Sequence, residues 1–368
     1  MAQYVRKFMA KFKGYVPGEQ PSEAGWIKLN TNENPYEPPA SVINDLKNGL
    51  KELRKYPDID CIEVKKQITF NVRMNKESAL KMDNIVVGAG EDELLELVFK
   101  TFVDKNDRVV FFAPSYGMYR TCCEIFDAVP VEIPLNPDFT IPEDKATSTP
   151  GKLIILCSPN NPDGARVPNE LIATICENFK GIVVVDEAYI AFAEDNALSL
   201  LGTYNNLIIL RTFSKAYSLA SLRIGYLLSL NRDVILAIRK VKQPYNVNLA
   251  AQVAALSSLK HQAEVDKIIK SVKDERDRFI GMLQEIPQIQ IFPTESNFIL
   301  IKIAVGKPDE NQKINQKIFW ELKKRKMLVR TYPEKGLYEF ERITVGKPED
   351  NDAFIEAFKE CLEIGLQG

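Results

Sequence analysis

Histidine is almost missing from this chain: 368 residues contain one, His261. A zinc centre built on several imidazoles is therefore excluded, and a Ser–His–acid triad would need this one residue in a cleft. Its surroundings, Leu259-Lys260-His261-Gln262-Ala263-Glu264, are polar and lead into a helical pattern, so a solvated surface position is expected. Any proton carrier is then a different side chain, or a bound cofactor takes the difficult step.

A charge excess is missing as well. Lys and Arg total 48 against 50 Asp and Glu, a net charge of −2, which gives no overall field for a nucleic-acid partner. The six cysteines, Cys61, Cys122, Cys123, Cys157, Cys176 and Cys361, form no C-x-x-C pair, which excludes zinc-ribbon spacing and a redox dithiol. Their scatter fits free thiols in a reducing cytoplasm. The longest charge-free window, Gln243–Leu259, contains Pro244, Asn246 and Asn248 and makes a poor membrane span. The opening stretch carries Arg6, Lys7, Lys11 and Lys13 among its apolar residues, so no secretory signal is expected. Gly and Pro, at 18 and 21 residues, are ordinary and exclude a low-complexity or collagen-like chain. A soluble, cytoplasmic protein without membrane or nucleic-acid partners is expected.

What is present is a repeated theme of a short β-branched apolar run, a turn and a segment of helical period. The runs are Asn84–Val87, Arg108–Phe112, Lys152–Cys157, Ile182–Val185, Leu207–Leu210 and Arg223–Leu230. Runs of this kind suit strands buried on both faces of a mostly parallel sheet covered by helices. Between them, Asp92–Phe102 and Pro168–Asn178 carry helical stripes. After Tyr245 the character changes to a long amphipathic helix at Glu264–Glu285, strands near Phe298–Ile303, Leu328–Arg330 and Arg342–Val345, and helices near Gln312–Lys326 and from Asn351. The expected fold is α/β, a large domain with a helix-sandwiched sheet plus a smaller α+β C-terminal domain. The expected boundaries are an arm at 1–45, a large domain at 46–245 and a small domain at 246–368.

In an open α/β sheet, ligands bind beyond the carboxyl ends of the strands. Gly88-Ala89-Gly90-Glu91-Asp92 opens a helix there, leaving backbone N–H groups for a phosphate, although a tight strand–helix turn also calls for glycine. Tyr116 offers a ring for stacking, or simply caps the core edge. Asn161, held extended by Pro162, presents an amide. Asp186 ends a wholly apolar run, a costly place for a carboxylate without a cation nearby. Lys215 follows the next run, with Arg223 eight residues on; a lysine in such surroundings can have its pKa lowered enough to act as an amine nucleophile. Phosphate cradle, stacking ring, amide, carboxylate, lysine and second phosphate cation together match pyridoxal 5′-phosphate, which needs a Lys for its aldehyde and an anion for its ring nitrogen. That cofactor with Lys215 also accounts for acid–base chemistry without histidine.

The sequence resembles the fold-type I pyridoxal-phosphate-dependent aminotransferases, class II subgroup, and among them the histidinol-phosphate aminotransferase family, along essentially the whole chain. The strongest stretch is Ser214-Lys215-Ala216-Tyr217-Ser218-Leu219-Ala220-Ser221-Leu222-Arg223-Ile224-Gly225. The resemblance implies that Lys215 is the Schiff-base lysine and that Ser214 and Arg223 bind the phosphate. It makes Asp186 the pyridinium partner, Tyr189 and Asn161 the phenolate donors, Tyr116 the stacking ring, and Gly90, Glu91 and Asp92 the amide cradle. Tyr15 and Asn32 match the substrate-side arm, and Asn297, Arg330 and Arg342 match further substrate contacts. Tyr56, in Arg54-Lys55-Tyr56-Pro57-Asp58, matches a tyrosine that reaches the partner subunit's cofactor, which implies a homodimer. Thr331–Glu341 should flank the substrate pocket. The implied reaction is amino transfer between histidinol phosphate and 2-oxoglutarate, giving imidazole acetol phosphate and glutamate in histidine biosynthesis. Aromatic amino-acid transamination and threonine-phosphate decarboxylation on the same scaffold stay open. Asp163, Ser221 and Glu341 depart from the family's usual threonine, glycine and apolar residue.

Overall fold

The computed structural model describes residues 4–74, 80–332 and 336–367. The first three residues of the arm and the centre of Thr331–Glu341 lie outside them. Seven strands form the large sheet: β1 (Ile85–Gly88), β2 (Arg108–Ala113), β3 (Val129–Pro134), β4 (Leu153–Cys157), β5 (Ile182–Asp186), β6 (Leu207–Thr212) and β7 (Gly225–Leu228). Their order is β1-β7-β6-β5-β4-β2-β3, and only β7 runs against its neighbours. Six of these strands coincide with the apolar runs. The other, β3, is missed by pattern because it contains Pro130, Glu132 and Pro134. Its place at the sheet edge tolerates prolines that lack a ladder donor.

Helices cover both faces. Glu91–Phe102 and Met118–Ile125 pack on one side, sharing a core with Val184, Ile208 and Leu227. On the other, Val42, Val64, Ile68, Ala251, Ala254 and Leu259 share a core with Val183, Val185 and Ile209. The helix Leu249–Lys260 therefore packs with the large sheet, beyond the expected boundary at 245. It was not readable as a helix with an amphipathic face because its small residues are apolar almost all round.

The C-terminal layer contains β8 (Ile289–Ile291), β9 (Phe298–Ile303), β10 (Arg330–Thr331) and β11 (Phe340–Thr344), in the order β10-β11-β9-β8. Helices Gln262–Gln284, Pro308–Lys324 and Pro348–Leu366 cover it through Val272, Phe279, Ile318, Leu322, Phe354 and Phe358. The N-terminal arm joins this layer: Ile27–Lys28 pairs in parallel with Met327–Leu328, and Thr344 N donates to Leu29 O at 2.9 Å. The following residues, Asn30 to Asn34, are thus delivered between the two layers. His261 lies where Leu249–Lys260 meets Gln262–Gln284, with Asp45 at 3.9 Å and Glu264 at 3.3 Å and its side chain 40% exposed, as its polar neighbourhood suggested.

Burying charge at the strand ends requires partners. Glu187, next to Asp186, is fully enclosed, and its Oε2 accepts from Arg211 Nε at 2.7 Å while Oε1 accepts from Ala197 N at 2.7 Å. Removing one member of such a pair strands the other. Glu187→Ala is expected to lower the unfolding free energy by about 3–5 kcal/mol, read as an earlier urea midpoint at unchanged slope. A midpoint equal to the parent's would mean that Arg211 does not depend on this carboxylate.

Candidate active site

The carboxyl ends of β1, β4, β5 and β6 open with the arm and β11 into one cleft of about 1330 Å³. A single drug-sized ligand occupies ~300–1,000 Å³, so two small molecules fit side by side. Of the sequence-selected residues, Glu91, Asp92, Tyr116, Asn161, Asp186, Tyr189, Ser214, Lys215, Arg223, Tyr15, Asn32, Arg330 and Arg342 all line it.

Asp186 forms the floor. It ends β5 in full burial, where Tyr119 Oη donates to its Oδ2 at 2.6 Å and Ala188 N to its Oδ1 at 3.1 Å. The Glu91 carboxyl lines the same cleft and faces the Asp186 carboxyl. Burial raises the pKa of both acids, and Glu91 the more strongly, because the charge of Asp186 adds to its desolvation. Glu91 opens the helix Glu91–Phe102, and a helix N-terminus favours a carboxylate by only about 0.3–1 kcal/mol. Several kcal/mol of desolvation outweigh that. Tyr119 and Ala188 already donate to Asp186, which favours charge there over charge on Glu91.

Lys215 stands above, in the loop after β6. Its Nζ donates to Thr31 O at 3.2 Å and lies 5.6 Å from the centre of the Tyr189 ring. Burial, followed by the positive charge of Arg342, brings its pKa down from 10.5 to about 8; Glu33, Asp92 and Glu91 oppose the shift. Asn34 Nδ2 donates to Lys215 O and Ala216 O at 3.2 Å each, pinning the loop to the arm. Three non-glycine residues around this lysine, Asn32, Ser218 and Arg223, have φ of 55°, 58° and 53°. That left-handed backbone is strained for such residues and persists only where surrounding contacts enforce it.

Tyr189 is buried, and its Oη accepts from Asn32 Nδ2 at 2.9 Å. Burial raises its pKa above 10, with Arg342 and Asn32 opposing, so the phenol keeps a proton to donate. Arg342 crosses from β11: Nη1 donates to Asn161 Oδ1 at 2.5 Å and Nη2 to Asn30 O at 2.8 Å, while Nε is buried without a partner among the described residues. The Asn161 amide is thereby oriented by the small layer. Asn297 is not on the cleft wall; it lies behind Asn32, donating to Asn32 O at 3.2 Å.

An anion cradle occupies the end nearest β1. Gly90 has φ 87°, a backbone strained for residues with a Cβ, and a Cβ there would sit 2.8 Å from Arg223 Nη2 and displace the guanidinium. Arg223 Nη2 donates to Asp92 Oδ2 at 3.0 Å and Nη1 to Ser214 Oγ at 3.4 Å. Thr212 Oγ1 also donates to Ser214 Oγ at 3.0 Å. Tyr116 is fixed by its Oη donating to Asp92 Oδ1 at 2.9 Å and by an edge contact with Tyr15 at 5.6 Å.

Arg330 stands at the outer wall, with one 3.5 Å contact to Val16 O. Lys11, Lys13 and Arg120 extend the basic rim. Tyr56 is outside the cleft of its own chain, 81% exposed and stacked on Tyr245 at 4.6 Å. Sequence reading passed over Tyr119 and the side-chain role of Glu91. The signal for Tyr119 is its spacing, three residues after Tyr116 on the helix that follows the strand end.

A family model for aminotransferase class I and II matches residues 24–358. A histidinol-phosphate aminotransferase of Microcystis aeruginosa is 35% identical over 348 residues, 95% of each chain. The solved histidinol-phosphate aminotransferase of Clostridium acetobutylicum is 26% identical, with a TM-score of 0.82 over 92% of this chain and 99% of that one. That of Sinorhizobium meliloti, solved with pyridoxal 5′-phosphate, shares the fold at 22% identity, with a TM-score of 0.87 over 99% of both. With the strand-end lysine and aspartate in one cleft and the match running almost from end to end, the chain belongs to the aminotransferase class I and II family.

Proposed function

We propose that this enzyme transfers the amino group of histidinol phosphate to 2-oxoglutarate, in histidine biosynthesis, with pyridoxal 5′-phosphate as cofactor. The observation that carries the reading is one cleft holding Lys215 with its pKa near 8, a buried Asp186, and Arg342 with an Nε unpartnered among the described residues. Full-length similarity to histidinol-phosphate aminotransferases supports the substrate.

The residues fit the cofactor by donor chemistry. The first free amides of helix Glu91–Phe102, with Ser214 and Arg223, would hold its phosphate. Asp186 would face the ring nitrogen, Tyr189 and Asn161 the phenolate oxygen, and Tyr116 the ring plane. Bound there, pyridoxal phosphate supplies an aldehyde and a ring that accepts electrons from the substrate carbon.

The chain's own groups do the rest. Lys215 Nζ is half-neutral near pH 8, so it is available both as a nucleophile and as a carrier that takes a proton from one carbon and returns it to another. Asp186, supported by the Tyr119 hydroxyl, would hold a proton on the ring nitrogen of the bound cofactor. Asn32 orients the Tyr189 hydroxyl. Arg342 and Arg330 offer guanidinium groups to the anionic ends of the two substrates in turn, a phosphate in one half-reaction and a dicarboxylate in the other.

A homodimer is part of this proposal. The exposed Tyr56, with Leu53, Ile59, Ile62 and Tyr245 also exposed, supports an apolar surface covered by a second copy. A cytoplasmic location is supported by six unpaired, buried cysteines. We take the division into arm 1–45, large domain 46–245 and small domain 246–368 as the working one, with Leu249–Lys260 assigned by its packing to the large part.

Two tests follow. Capture of pyridoxal phosphate by the cofactor-free chain should speed up as pH rises through about 8, because the neutral amine is the reacting form. Lys215→Ala should show neither visible absorbance nor turnover. A pH-independent rate, or an active Lys215→Ala enzyme, would remove Lys215 from the mechanism. For the substrate, kcat/KM for histidinol phosphate should exceed that for phenylalanine, each with 2-oxoglutarate, and threonine phosphate should release no carbon dioxide. A preference for phenylalanine, or carbon dioxide release, would reassign the reaction.

A further inference from the structure

The backbone amide of Glu91 belongs to the anion cradle, yet its side chain is the less expected feature. It lies at the first turn of helix Glu91–Phe102, where the left-handed Gly90 turns the chain, and Gly225 packs so closely that a Cβ there would sit 3.0 Å from Glu91 N. From this fixed backbone the side chain faces the carboxyl of Asp186, and its Oε1 is buried with no partner among the described residues. A carboxylate pair in contact and out of water cannot carry two charges, so one acid must be neutral. The groups facing Glu91 are Asp186 from β5, Asp92 from its own helix and Lys215 from the loop after β6. Cys157, at the end of β4, adds a thiol that stays protonated. The Arg223 guanidinium is engaged with Asp92 and Ser214.

We propose that Glu91 is a positioning residue for the ring-nitrogen partner: it keeps a proton, donates it in a hydrogen bond to Asp186, and so makes Asp186 an ionised but weakly basic acceptor. Asp186 then has three donors, Tyr119, Ala188 and Glu91, arranged before any ligand arrives. The consequence reaches Lys215 through the ring. An Asp186 relieved of Glu91 would pull the ring-nitrogen proton toward itself, leave the ring less positive, and make the lysine–cofactor linkage hold its own proton to higher pH.

This inference rests on the cleft's being a pyridoxal-phosphate site, and the experiment separates the two. In the cofactor-free full chain at neutral pH, the infrared difference between parent and Glu91→Gln should contain the carbonyl stretch of a protonated carboxylic acid. A difference containing only carboxylate bands would overturn the proposal without touching the cofactor reading. In the loaded enzyme, the pH midpoint of the visible band should rise in Glu91→Ala by about half a unit or more. Glu91→Gln, whose amide still donates, should keep the parental midpoint. An unchanged midpoint in Glu91→Ala, or a Gln variant shifted as far as Ala, would overturn the role of Glu91. A parent that forms no visible band would instead overturn the cofactor reading, and this role with it.

Discussion

The placement of a buried Asp186 and of Lys215 in one cleft is the constraint on which the rest of the site depends. Either charge alone at the end of an apolar sheet would be expelled or neutralised. Here the carboxylate is held by Tyr119 and Ala188, while the lysine is left with a carbonyl, a ring and the repulsion of Arg342. The fold stabilises one charge and loosens its hold on the other. That asymmetry leaves an anionic floor and a lysine that gives up its proton near neutral pH. The Glu187–Arg211 pair performs the same service one residue away, at the base of the wall, where no chemistry is asked of it.

Two layers have to meet for this to work. Arg342 on β11 holds the Asn161 amide, Asn32 in the arm holds the Tyr189 hydroxyl, and Asn34 holds the lysine loop. The large sheet therefore supplies the reactive groups, while the arm and the small layer orient them. Thr344 and Asn297 fix Asn32 from behind through its backbone. A substrate contact was the expectation for Asn297; its place makes it a support for one.

Much of this was legible in the chain because the residues follow strand ends, where a local motif and its position in the fold coincide. Gly90, Asp186, Lys215 and Arg223 could be picked out in that way. Tyr119 was marked only by its spacing after Tyr116, because its partner at the end of β5 is 67 residues away in the chain. The side chain of Glu91 was hidden for the opposite reason, since its backbone role already accounted for its position. The departures from family pattern also resolve physically. Asp163, buried and pushed by desolvation up to about 7, accepts from Asn160 Nδ2 and from Ala165 N, so it does a turn-holding job. Glu341 is buried with both oxygens unpartnered among the described residues, and desolvation pushes it up to about 8, which favours its neutral form. It points from β11 opposite to Arg342, as strand alternation requires, and so stays out of the cleft.

The central claim is that one lysine among many, made different by burial, forms the covalent link to the cofactor. It is tested most directly by loading the chain with pyridoxal phosphate, reducing with borohydride, and locating the labelled peptide by mass spectrometry. The account predicts a single label, on Lys215. A label on any other lysine, with Lys215 unmodified, would contradict it.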